Sequence, residues 1–183
     1  MTMLPTCSCC GDLLAGRFDR RRFLAIAGGA GLAAAFPFTA LAQSSYGSYE
    51  AMLLSCIDPR TQESVRAYVE KQGLLGKYSQ FTFAGAAIGV VAPKFQGWHQ
   101  TFWDNLGATI QLHKIKKVVA IDHRDCGACR LAYGDATTAT PEVETKTHRK
   151  VFAQFRQLMA KRHPKLGVET GLIALDGTME MLS

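Results

Sequence analysis

The sequence predicts an α/β domain with a mostly parallel central sheet flanked by helices, on three observations. Residues 51–54 and 118–121 are short, wholly apolar runs, as strands buried on both faces of a parallel sheet are. Stretches with helical spacing lie between the strand-like runs, so strand and helix alternate along the chain. With 183 residues in all, the chain is long enough for one compact domain.

The first 42 residues read as a leader and not as part of that domain. Arg20-Arg21-Arg22-Phe23-Leu24 precede an uncharged, Ala- and Gly-rich stretch over 25–42, which ends in Ala40-Leu41-Ala42, an AxA cleavage pattern. This resembles a twin-arginine export signal and implies a periplasmic protein that meets the twin-arginine translocase during export. A retained membrane anchor is the alternative. Residues 43–50 are a polar, Ser- and Gly-rich linker, and 51–183 form the domain.

Within the domain the first strand, 51–54, is followed by a helix over 61–72, with Thr61 as its cap, Glu63 in its first turn and Gly73 as its stop. Residues 80–83 alternate as a short strand and run into Ala84-Gly85-Ala86-Ala87-Ile88-Gly89, where the glycines indicate close backbone approach. From 96 to 113 Trp98, Phe102, Leu106 and Ile110 recur every four residues and mark one buried helical face. The next strand covers 117–122, a short helix 126–133 and a loop 135–141. A long amphipathic helix then covers 142–162, with Val151, Phe155 and Leu158 inward and a stop at His163-Pro164. Residues 168–175 and 178–182 form a closing hairpin around Asp176-Gly177, a pair suited to a type I′ turn.

The formal net charge is +6, but no basic run points to nucleic acid, and the Lys and Arg residues are scattered over solvated helix faces. Of six cysteines, Cys7, Cys9 and Cys10 fall in the leader, leaving Cys56, Cys126 and Cys129. Three is a poor count for a disulfide framework.

Two strings carry chemistry: Ser55-Cys56-Ile57-Asp58-Pro59-Arg60 after the first strand and His123-Arg124-Asp125-Cys126 after the third. Two thiols and an imidazole are the donor set that tetrahedral Zn²⁺ prefers. Strand ends at the carboxyl edge of a parallel sheet are where open α/β folds build their sites. Taken singly, each residue has a plainer structural role: a buried apolar cysteine, a structural ion pair, a loop-orienting histidine. The remaining histidines, His99, His113, His148 and His163, fall on helical stretches and are expected at the surface.

On these residues the body of the chain resembles the β-class carbonic anhydrases. Cys56, Asp58 and Arg60, then His123, Cys126 and Gly127, stand in the family's order, and the likeness runs from Met52 to about Leu182. The resemblance implies Zn²⁺ held by Cys56, His123 and Cys126, with Asp58 orienting zinc-bound hydroxide toward CO₂ and Arg60 keeping Asp58 ionised, to give bicarbonate reversibly. It also implies a homodimer or higher homo-oligomer. In some family members the aspartate itself closes onto the metal, a second role open to Asp58. The chain departs from the pattern at Phe83-Ala84-Gly85-Ala86, where many members carry polar residues, and it lacks the glutamine that plant-type members carry shortly before the first cysteine. These differences leave other substrates open on the same scaffold, carbonyl sulfide or carbon disulfide, as well as a zinc domain without strong catalysis. Asp125-Cys126-Gly127-Ala128-Cys129 offers a rival of another class, a thioredoxin-like CxxC redox motif.

Overall fold

In a computed structural model of the chain, residues 47–183 are described. The export signal over 1–42, its Arg20 and Arg21, the cysteines Cys7, Cys9 and Cys10, and the first part of the 43–50 linker lie outside the described residues.

Among the described residues, five strands form one sheet in the order β2-β1-β3-β4-β5. The strands are β1 Ala51–Ser55, β2 Tyr78–Thr82, β3 Lys117–His123, β4 Gly167–Ile173 and β5 Met179–Met181. Neighbours from β2 to β4 are parallel, and only β5 is antiparallel. The expected mostly parallel sheet is present.

Helices connect and cover the strands: α1 Gln62–Lys71, α2 Ala87–Val91, α3 Gln96–His113, α4 Gly127–Tyr133 and α5 Pro141–Arg162. Period-2 alternation along the strands builds two cores. Met52 and Leu54 of β1, with Val118 and Ala120 of β3, face a large cluster that includes Phe102 and Leu106 of α3 and Phe152 and Phe155 of α5. Ala51, Leu53, Val119 and Ile121 face the other way, onto Val65 and Val69 of α1. Both faces of the sheet are covered, which is why the strands read as continuous apolar runs.

Several local expectations change. Thr61 does not cap α1 with its side chain. Its hydroxyl donates to the Asp58 carbonyl at 3.0 Å, because a 3-10 turn over Pro59–Thr61 precedes the helix. Trp98 is 41% exposed, whereas Phe102 is fully buried. The indole lies in the first turn of α3 and stacks on Phe95, centroids 4.4 Å apart, instead of reaching the sheet. The closing hairpin forms without a type I′ turn: Ala174 N–H donates to Thr178 O at 2.8 Å, closing a three-residue loop in which Gly177 alone has positive φ. Tyr49 and Glu50 are tied down and are not part of a free linker, with amides that donate to His113 O and Lys77 O at 2.9 and 2.8 Å.

Phe102 is the centre of the larger core, with Trp103, Phe155 and Phe81 rings at centroid distances of 4.9, 5.8 and 6.0 Å. Phe102→Ala is expected to cost about 3–5 kcal/mol through lost burial and the cavity left behind. Urea unfolding followed by circular dichroism measures it, and Trp98→Ala should cost clearly less.

Candidate metal centre

Strand order places the centre. The chain passes from β1 to β2 on one side and then, through α2 and α3, back across to β3 on the other side of β1, so the crevice between β1 and β3 is a topological switch point. Ser55 pairs with Ile121 in register, which brings the residue after β1 level with the last residues of β3. Cys56, His123 and Cys126 meet there, all buried, with their ligand atoms within 4.8 Å of one another. The side chains expected to act together are therefore adjacent.

The donor set fits a divalent zinc-type ion on an observation independent of composition. His123 Nδ1 is engaged by its N–H donating to Arg124 O at 2.8 Å, while its Nε2 is buried and has no hydrogen-bond partner among the described residues. An imidazole with one nitrogen anchored and a bare lone pair on the other is oriented as a ligand. The two sulfurs beside it are free thiols. The Cys126 sulfur, the His123 ring and the Gly85 and Asp58 amides beside it pull the Cys56 thiol well below its ordinary range. The same contact and burial push the Cys126 thiol up. Burial works against a charged His123 ring, but the neighbouring Cys56 sulfur outweighs it and raises the ring's pKa. A cation placed among these groups would relieve both effects.

Asp58 and Arg60 stand at the rim. Asp58 accepts the Arg60 amide and Nε–H at its Oδ1, each at 3.0 Å, and Nη2–H at its Oδ2 at 2.7 Å. The fork closes easily because Asp58 is the N-cap of the 3-10 turn that carries Arg60. The guanidinium holds the Asp58 carboxyl down at about 2, and Oδ2 lies 3.8 Å from His123 Nε2. A carboxylate thus faces the ligand group from one side of the crevice between β1 and β3. Beside Cys56, a cavity of about 300 Å³ is lined by Ser55, Thr61, Gln62 and Thr82 among others.

Further groups complete the surroundings. Arg60 reaches beyond Asp58 to Asp125, Nη1 to Oδ2 at 2.8 Å and Nη2 to the carbonyl at 3.1 Å, and Arg130 binds the other Asp125 oxygen. Asp125 has φ +56°, a left-handed conformation that Asp tolerates. Its amide donates to Glu144 Oε1 at 2.6 Å, which ties the turn to α5. Gly85 donates its amide to Cys56 Sγ at 3.2 Å. Asp122, 1% exposed, pairs with His148, fully buried, with Oδ2 and Nδ1 2.9 Å apart. His148 is therefore not the surface residue expected. Cys129 stays outside the ligand group, buried, with its thiol donating to Thr137 Oγ1 at 3.5 Å.

No family model matches the chain. An uncharacterized protein of Rickettsia conorii is 30% identical over 131 residues, 72% of this chain and 70% of that one. An uncharacterized protein of Rickettsia bellii has the same identity over the same length, covering 80% of that protein. Among solved structures, a β-carbonic anhydrase of Aspergillus fumigatus superposes with a TM-score of 0.50 at 14% identity, over 75% of this chain and 76% of that one. A β-carbonic anhydrase of Trichomonas vaginalis gives 0.49 at 15% identity, over 90% and 97%. At 14% identity the likeness to the Aspergillus fumigatus structure is one of fold.

Proposed function

We propose, from the premise that this chain belongs to one family with the two Rickettsia proteins and has the fold of the β-carbonic anhydrases, that it hydrates CO₂ reversibly to bicarbonate at a zinc centre. The observation that carries the reading is the buried Cys56–His123–Cys126 group with the Asp58 carboxylate facing it.

Cys56 Sγ, His123 Nε2 and Cys126 Sγ would hold the ion. Zinc, when bound with three protein ligands, supplies a water whose pKa falls from about 15.7 to about 7. The chain's own residues do the rest. His123 is held in one tautomer by Arg124 O, so Nε2 cannot turn away. Asp58, kept ionised by Arg60, would accept a hydrogen bond from the attacking oxygen and so orient its lone pair toward CO₂. Arg60, fixed at its far end by Asp125, stops the Asp58 carboxylate from rotating. Burial of both sulfurs excludes bulk water from the ligand atoms.

The apolar turn Phe83-Ala84-Gly85-Ala86 beside Cys56 favours a second reading on the same centre, hydrolysis of the less polar carbonyl sulfide or carbon disulfide. A homodimer or larger assembly belongs to the same proposal, since Ile57, next to Cys56 in the chain, is 56% exposed and would be covered by a neighbouring subunit.

The test is metal analysis of the purified protein together with stopped-flow CO₂ hydration and a sulfide-release assay. One zinc per chain and CO₂ turnover are expected. Turnover of carbonyl sulfide without CO₂ hydration would move the substrate and keep the centre. A metal-replete protein that turns over neither would overturn the enzymatic reading.

A further inference from the structure

The turn that brings the Gly85 amide to Cys56 runs through two left-handed residues in succession, Gly85 at φ +76° and Ala86 at φ +44°. Alanine rarely adopts that backbone, so the surroundings must hold it there. The first residue past the turn is anchored by one side chain: the Ala87 amide donates to Asp122 Oδ1 at 2.9 Å. Asp122 is itself held by His148 Nδ1 at its other oxygen, across from α5. The chain of contacts is His148 to Asp122, Asp122 to Ala87, and the 85–87 backbone to Cys56 Sγ.

Stability alone does not account for this pair. Two buried ionisable groups lose their hydration, and apolar residues of similar volume are often no worse for the fold. Burial indeed pushes the Asp122 carboxyl up, against the pull of the His148 and Ala87 hydrogen bonds. His148 Nε2 is buried with no partner among the described residues, so the ring's polar contact is directed only at Asp122. A group kept at such cost, with each carboxylate oxygen assigned to one donor, is suited to fixing a position.

We propose that Asp122 and His148 are positioning residues that hold the 85–87 turn, and with it the Gly85 N–H to Cys56 Sγ hydrogen bond, so that they set how strongly the Cys56 thiolate donates to a bound metal. The inference rests on the metal-centre reading. An N–H donated to a thiolate draws charge from the sulfur and fixes its direction; losing it leaves the sulfur a freer, less well-aimed ligand. Residues that support metal ligands in this way typically change affinity by roughly 10- to 100-fold.

The experiment uses the full chain loaded with Co²⁺ as the probe, reading the thiolate-to-cobalt charge-transfer band and the dissociation constant by chelator competition. His148→Leu removes the donor to Asp122. His148→Asn places an amide N–H near the position of Nδ1. The expected result is a shifted band and affinity weakened by about 10-fold in His148→Leu, with both largely restored in His148→Asn. If His148→Leu does not fold, Asp122→Asn, which alters the acceptor for both donors, is read against wild type in the same way, with a shifted band expected. An unchanged band and affinity in the folded variant would overturn the positioning role while leaving the metal centre intact. A wild-type protein with no thiolate-to-cobalt band at all would overturn the metal centre itself, and the inference with it.

Discussion

Cys126→Ala is expected to purify folded but without stoichiometric zinc, whereas Cys129→Ala, three residues away, keeps its metal. Cys126 is one of three ligand atoms within 4.8 Å of one another, and Cys129 is engaged elsewhere with Thr137. If zinc binding of about 10–16 kcal/mol is shared among four ligands, losing one costs about 3–4 kcal/mol, roughly 10²–10³ in affinity. Removing one thiol from a buried position costs the fold little beside that. Metal content after dialysis against a weak chelator measures the difference, together with CO₂ hydration, which should fall in parallel. The pair of variants also separates a ligand role from a CxxC redox role. A redox dithiol would need Cys126 and Cys129 equally, so loss of metal and activity in Cys129→Ala as well would sink the assignment, as would unchanged zinc in Cys126→Ala.

Asp58→Asn should keep both fold and zinc and lose most of the hydration rate. The amide is nearly the same shape, but it carries no charge for Arg60 to complement and accepts a hydrogen bond more weakly. Oriented groups that stabilise developing charge are worth about 3 kcal/mol, so the rate should drop by about 10². With the carboxyl held at about 2 by Arg60, wild-type Asp58 stays ionised through the whole neutral range, and its titration should leave no step in the rate near neutral pH. Arg60→Ala should give a related loss for a different reason. Without the fork from Nε and Nη2, the carboxylate is free to turn toward the ligand atoms, 3.8 Å away at His123, and to take the position a water needs. Stopped-flow rates on metal-replete protein test both; full activity in Asp58→Asn would rule out the carboxylate's part in the chemistry.

That Cys56, His123 and Cys126 come together was legible in the sequence because each sits at, or within three residues of, the end of a strand that betrays itself by continuous apolarity. Asp58 and Arg60 were legible as a pair because they are two residues apart and their geometry closes within one turn. The wider surroundings were not. Asp125 meets Arg60 across 65 residues of chain, and only the pairing of β1 with β3 brings the two turns together. His148, expected at the surface from its polar helical stretch, precedes Val151 and Phe152 by three and four positions and so shares their buried stripe. The charge at the end of β3 was the complementary signal, since an aspartate that closes a strand buried on both faces needs a partner. Neither signal names the other.

By itself the sequence determined the alternation of strands and helices, the two-sided burial of β1 and β3, and the chemical types gathered at their ends. These come from periods of 2 and 3.6 residues and from side-chain chemistry, which are local properties. The tertiary structure alone decided that Gly85 donates to Cys56, that Arg60 is shared between Asp58 and Asp125, and that Asp122 is held by His148. Those contacts join residues far apart in the chain, and they exist only once strand register and helix packing have removed the polar groups from water and left each one to find its partner inside the fold.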